Sequence, residues 1–254
     1  MNMSKSFKRV VLITLLVLPF LVYFTMVYTA EGNFFVPLDY VGPKEVVKST
    51  DANGEEVFDT AYYAIPSWQF TTQDDSTLNS TDLKGKIYVA NFFFATCPSI
   101  CPAMNFNAKQ VQDRFNGFED FRLVSFTVDP EHDTVEVLKA YERTMGATPG
   151  RWYFLTGDKD AIYKTAADYF QNAMPDSLAD GGFLHSENLV LVDWQGRIRS
   201  RKDDFGNVKA VYNGLSPVEI NELKDDIKVL IAEYEKKRSV DEYKESKEKK
   251  KSNK

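Results

Sequence analysis

The chain reads as an α/β domain, a central mostly parallel sheet flanked by helices, behind an N-terminal transmembrane helix. Three observations carry that reading. Near-continuous apolar runs rich in β-formers alternate with stretches of helical period. An uncharged run of 21 residues follows three cations at the amino terminus. The only two cysteines, Cys97 and Cys101, sit four positions apart at the end of the first β-forming run.

The elements follow in chain order. Lys5, Lys8 and Arg9 precede VVLITLLVLPFLVYFTMVYTA, residues 10–30. About 20 apolar residues cross a bilayer as a helix. A cleaved signal peptide has an apolar core of about 7–15 residues and a small-x-small end. Here the run is longer, and its end, Tyr28-Thr29-Ala30, offers a bulky tyrosine where a small residue is needed. The run therefore reads as an uncleaved anchor, in which Pro19 is tolerated. The cations before it place residues 1–9 in the cytoplasm by the positive-inside rule. The expected location is a bacterial inner membrane or its equivalent, crossed once, with the body in the periplasm, where disulfides form and persist.

Residues 31–64 carry Gly and Pro punctuation without a sustained period and read as a linker and N-terminal extension with one short strand. Residues 65–235 form the domain. IPSWQF (65–70) alternates loosely and fits an edge strand. IYVANFFF (87–94), FRLVSFTV (121–128), WYFLT (152–156) and NLVLVDW (188–194) are apolar enough to be buried on both faces. Helical patterns fill the gaps, at Ala103–Phe115, Thr134–Met145 and Asp158–Phe170, so that βαβ units build the sheet. Trp194-Gln195-Gly196-Arg197 reads as a hairpin turn into an antiparallel last pair. Ser216 and Pro217 open a final helix to about Tyr234, as cap and first helical residue. Residues 236–254 read as a charged, disordered tail. This order, with the cysteines opening the first helix after a strand, is a thioredoxin-like arrangement.

Charge narrows the partners. Residues 1–9 carry +3 and residues 236–254 carry +5, so the chain between them carries −14 against a total of −6. An acidic body argues against nucleic acid, whose binding depends on cations neutralising phosphates.

Each cysteine precedes a proline, Pro98 or Pro102. Proline disfavours helical backbone in the residue before it and is tolerated at a helix start. That makes Cys101 the expected N-cap and puts Cys97 in the loop leaving the strand. Both thiols would then lie at the positive end of a helix dipole, which lowers thiol pKa. A structural bridge, a redox pair and a metal claw all fit such a pair. A bridge this short gains little chain entropy. The familiar redox spacing is Cys-x-x-Cys, whereas three residues intervene here. Two thiolates are soft ligands for Cu(I) or Zn, and they would need a third ligand.

The two histidines are His132 and His185. His132, in TVDPEHDT, reads as a surface turn residue beside Asp133, which with Glu136 makes a capping box for the next helix. His185, in GGFLHSENLVLVD, follows a Gly-Gly pair and precedes the fourth strand. A lone histidine is more often structural, but a waiting pair of thiols makes His185 a candidate ligand. Met104, on the first helical turn, reads as core.

Taken together, GKIYVANFFFATCPSICPAM, LVSFTVDPEHDTVEVLKAY, WYFLTG and FLHSENLVLVDWQGRI resemble the Sco/SenC family of membrane-anchored copper proteins over about residues 65–235. The resemblance implies a thioredoxin-like copper-binding domain holding one copper ion through Cys97, Cys101 and His185. It implies a metallochaperone, without turnover, that assists assembly of the dinuclear copper centre of cytochrome c oxidase subunit II. As the alternative, which the spacing and His185 favour less, it allows a thiol–disulfide reductase in which Cys97 and Cys101 form a redox-active disulfide and keep the cysteines of a copper-receiving partner reduced. Asp129 and Asp133 match the family's acidic segment. The family often has Thr-His before the first cysteine and Asp between the two, where this chain has Ala95-Thr96 and Ser99.

Overall fold

The structure, a computed structural model, describes residues 4–30, 36–50, 54–98, 100–171, 173–175 and 183–252. The chain divides into two units, Met1–Pro37 and Leu38–Lys254.

The first unit is built on helix α1 (Lys5–Ala30), with Pro19 inside it. Its segment Ser6–Met26 is long and apolar enough to cross a membrane. Among its described side chains Leu12, Leu16, Phe20 and Tyr23 are exposed, as lipid-facing residues would be.

The second unit begins with strands β1 (Asp39–Tyr40), β2 (Lys44–Thr50) and β3 (Glu56–Tyr62). These residues, read from sequence as linker with one short strand, make an exposed β2–β3 hairpin and a strand that docks on the domain. Next come β4 (Gln69–Thr72), β5 (Thr77–Asn79), a single 3-10 turn (Ser80–Leu83), β6 (Ile87–Phe93) and α2 (Cys101–Phe115). They are followed by β7 (Phe121–Thr127), α3 (Val135–Met145), β8 (Trp152–Thr156) and α4 (Lys159–Asp168). The chain then forms β9 (Ala173–Pro175), β10 (Phe183–His185), β11 (Asn188–Val192), β12 (Arg199–Ser200), β13 (Tyr212–Asn213) and α5 (Pro217–Ser252).

The main sheet has the order β13-β11-β6-β7-β8-β4-β5. β6, β7 and β8 are parallel neighbours, in register from Ile87 opposite Phe121 to Phe93 opposite Thr127. Every residue of β6 is buried, which explains its unbroken apolar reading. β11 departs from the βαβ expectation and runs antiparallel to β6. An apolar run reports burial on both faces and carries no direction. Here the extra strands β9 and β10 intervene between α4 and β11, so the chain does not arrive by a simple crossover. The turn at Trp194–Arg197 forms as expected, closed by Gly196 N–H to the Asp193 carbonyl and a bridge between Val192 and Ile198. β12 then pairs with β1.

Helix ends follow local chemistry. Asp158 caps α4 by accepting from the Ala161 amide at 2.9 Å. Ser216 accepts from the Glu219 amide at 3.4 Å, and Pro217 is the first residue of α5. Thr134, not Asp133, caps α3 by accepting from the Val137 amide. Gly146 ends that helix in left-handed backbone at φ 61°, which only glycine adopts freely. α5 does not stop near Tyr234 but continues to Ser252. The reason is local: the segment is rich in Glu and Lys, good helix formers, and Arg238 reaches Glu235 at 2.8 Å and Glu242 at 3.9 Å along the helix.

Candidate functional site

Both cysteines lie beyond the carboxyl end of β6, the parallel strand that borders antiparallel β11, and the carboxyl ends of parallel strands are where α/β sheets place ligands. Cys97 sits in the loop after Phe93, with its amide donating to the Phe94 carbonyl at 3.2 Å. Cys101 is the first residue of α2, with Ile100 as N-cap and Pro102 at the second position, one step on from the expected cap at Cys101. No side chain of Ile100 caps the helix; instead the Cys101 amide donates to Cys97 Sγ at 3.4 Å. One sulfur thus satisfies the first amide of the helix that carries the other. No disulfide joins the two.

The expected acidity is reversed at Cys101. It is 1% exposed, and burial pushes its thiol well above the ordinary range, outweighing a lowering contact with the Phe94 backbone. A helix dipole stabilises a thiolate that water can also reach. This one is buried, so the desolvation outweighs the dipole.

A polar chain runs beneath α2. The Trp152 indole N–H donates to Ser125 Oγ at 2.8 Å, and Ser125 donates to Asn91 Oδ1 at 2.5 Å. Asn91 Nδ2 donates to Asn105 Oδ1 at 2.9 Å, and Asn105 Nδ2 donates to Tyr141 Oη at 2.7 Å. The chain joins β8, β7, β6, α2 and α3 in one donor-to-acceptor direction. Asn91 also reaches the Met104 sulfur at 3.8 Å. Met104 is fully buried, in keeping with its reading as core. Burial pushes the Tyr141 hydroxyl up to about 12. The signal in the sequence was Asn91 itself: a polar residue inside a run buried on both faces must find partners.

Asp133 is buried and holds the thiol loop. Its Oδ2 accepts from the Ala95 amide at 2.9 Å and from the Thr127 hydroxyl, fastening the loop to the end of β7. Its Oδ1 is buried without a partner among the described residues. Burial raises its pKa from 3.8 against the lowering pull of both donors. A raised carboxyl lets the native state keep a proton that the unfolded chain has lost. Its contribution is therefore present below about the unfolded value and disappears as pH rises through the folded one. Asp133→Asn has no such proton. In urea unfolding, the stability of Asp133→Asn relative to wild type is expected to improve as pH rises above about 4, the unfolded value. A pH-independent difference would show that the carboxyl does not titrate in this window.

His132 lies on the surface, with Nδ1 2.9 Å from both oxygens of Asp129. That contact raises its pKa. His185 is the last residue of β10, opposite Ala173; its side chain lies outside the described residues. Its neighbourhood is fixed by backbone packing. A Cβ on Gly214 would sit 2.7 Å from both the Glu187 carbonyl and Met104 Cγ, so only glycine lets these segments meet. The Gly214 amide donates to that carbonyl at 2.7 Å, and its own carbonyl accepts from Asn107. The chain two residues after His185 is thereby pressed near the first turns of α2. Ser186 donates to Gln171 at the end of α4. Among the described residues no group of three or more His, Cys, Asp or Glu side chains is gathered in metal-binding geometry. The two thiols are described donors that suit a soft metal.

A model of the SCO1/SenC family matches residues 59–217. The chain is 27% identical over 177 residues to the SCO1 protein homolog of Bacillus subtilis (strain 168), covering 69% of this chain and 86% of that one. It is 28% identical over 140 residues to a protein of Stutzerimonas stutzeri named "Putative copper-binding protein", covering 54% of this chain and 67% of the relative. Among solved structures it resembles BsSco, described as a member of the Sco family of cytochrome c oxidase assembly proteins in which a disulfide switch was identified. That match has a TM-score of 0.55 and 26% identity, and covers 65% of this chain and 92% of the other.

Proposed function

Since the chain belongs to the SCO1/SenC family, we propose that it carries copper as cargo for the assembly of cytochrome c oxidase. Its acceptor is the dinuclear copper centre of subunit II or another copper-receiving protein. The observation that carries this reading is the pair of thiols at the head of α2, not bridged by a disulfide and close enough for the Cys101 amide to bond Cys97 Sγ. Two thiolates select Cu(I), and an imidazole from His185 would extend the site to Cu(II). The fit is chemical: soft donors, buried, at the end of a helix whose first amide one of them already satisfies. Copper binding displaces the thiol protons. The copper-binding name of the S. stutzeri relative supports the same cargo.

The membrane location belongs to this reading. Helix α1, with three cations before its apolar run, would anchor the chain once in the inner membrane and hold the domain in the periplasm. The acidic body leaves nucleic acid out of the reading.

A second reading is favoured by one observation, the disulfide switch of BsSco. In it the dithiol of Cys97 and Cys101 passes two electrons and two protons to a disulfide of the copper-receiving partner and is itself oxidised to a disulfide. One experiment separates the two. Copper-loaded protein is mixed with the reduced copper domain of subunit II, and apo dithiol protein with the oxidised domain; mass spectrometry then reads metal and free thiols on the acceptor. A carrier metallates the reduced domain without changing its thiol count, and His185→Ala abolishes the transfer. Thiol reduction that survives His185→Ala, with no copper delivered, would establish the reductase instead.

A further inference from the structure

The part of α5 beyond the domain keeps its acids off one face. The helix buries Ile220, Leu223, Ile227 and Leu230 and then runs on to Ser252. At about 100° per residue, Lys236, Val240, Tyr243, Lys244 and Lys247 fall within an arc of about 120°. Lys250 and Lys251 fall at the same register. The acids Asp241, Glu242, Glu245 and Glu248 all fall on the other side, together with Lys237, Arg238 and Lys249, so that side is nearly neutral and the lysine arc is purely cationic. Lys247 Nζ lies 4.8 Å from the centre of the Tyr243 ring, one turn back on the same face. Val240 and Tyr243 are 44% and 60% exposed. The mixed side, with Lys237, Arg238, Asp241, Glu242 and Glu245, lines a cleft shared with Trp194 and Tyr234, so the lysine arc is turned away from the domain.

We propose that this lysine arc of α5 is a second membrane contact, which lies on the anionic headgroups of the bilayer in which the chain is anchored. This rests on the anchored reading of α1 given above. A helix with cations, a tyrosine and a valine on one face and its acids mixed with cations on the other has the composition of one that lies in a headgroup layer. The −14 carried by residues 10–235 makes the body itself repel such a surface. Contact with anionic lipid therefore falls to the lysine arc, while repulsion holds the body off. An anchor in the same chain keeps the helix at high effective concentration near the bilayer, so weak attraction per lysine is enough.

The test uses the full chain in vesicles of phosphatidylcholine alone and of phosphatidylcholine with phosphatidylglycerol, with amide hydrogen exchange read across residues 236–252. Exchange is expected to slow about tenfold in the anionic vesicles, and the slowing to vanish at high salt. It should vanish too when Lys236, Lys244, Lys247, Lys250 and Lys251 are changed to Gln, which preserves helix propensity. Carbonate extraction of the same samples reads the anchor separately: protein that washes out overturns the anchored reading. Protein that stays in while exchange is unaffected by lipid charge overturns the lysine contact alone. Slowing by soluble poly-L-glutamate but not by anionic vesicles would assign the arc to an acidic protein and overturn the proposal.

Discussion

Cys101→Ala is expected to lower copper affinity by more than about a hundredfold. A structural zinc site of four thiolate or imidazole ligands contributes about 10–16 kcal/mol, roughly 3 kcal/mol per ligand; a soft thiolate on copper is taken at the same order, and about 1.4 kcal/mol is tenfold. Cys97→Ala should cost at least as much, because it also removes the sulfur that accepts from the Cys101 amide. His132→Ala should leave affinity unchanged, since its imidazole is turned to Asp129 on the surface. His185→Ala should weaken Cu(II) more than Cu(I), because imidazole suits the harder ion. Competition titrations with a copper chelator measure all four, with circular dichroism confirming the fold. A Cys101→Ala protein that binds within threefold of wild type would remove copper from the thiol pair. A His132→Ala loss matching that of His185→Ala would mean that the wrong histidine is assigned.

Asn91→Leu is expected to cost about 2–6 kcal/mol of stability, since a buried polar group left without a partner costs about 1–3 kcal/mol. Leucine has nearly the same size, so the loss is one of pairing. It strands the Ser125 hydroxyl and Asn105 Oδ1, both buried. Because Asn105 sits on α2 one turn after Cys101, the effect should extend to the site, as faster amide exchange in the first turns of α2. Ser125→Ala should be non-additive with Asn91→Leu, because the two share one chain of bonds. Urea unfolding of the single and double variants checks this. A cost below about 0.5 kcal/mol, or strict additivity, would show that the chain of bonds does not act as a unit.

Much of the domain was legible because its signals are local. Strands buried on both faces announce themselves as apolar runs, and β6, β7 and β8 stand within a residue of where those runs lie. Prolines fixed the loop around the cysteines and the start of α5. Where a reading failed, the missing term was an environment. Asp133 and Glu136 have the spacing of a capping box, yet Asp133 is drawn inward by the Ala95 amide and the Thr127 hydroxyl, neither adjacent to it in sequence. The charged end of α5 has the composition of a disordered tail, but it continues from a helix already nucleated by packing, where each added residue costs little.

By itself the sequence determined the alternation of buried strands and helices, the apolar run of α1, the pairing of Cys97 with Cys101, and the choice of His185 as candidate over His132. All of these are written in residue type and spacing along the chain. The tertiary structure alone decided that β11 runs antiparallel to β6 and that Asn91, Asn105, Ser125, Tyr141 and Trp152 form one chain of bonds. It alone decided that Gly214 lets the segment after His185 approach α2 and that burial raises the pKa of the Cys101 thiol. The reason is the same in each case. Spacing fixes which groups can meet within an element, whereas strand direction, close approach between elements and the loss of water around a thiol depend on what the rest of the chain packs against them.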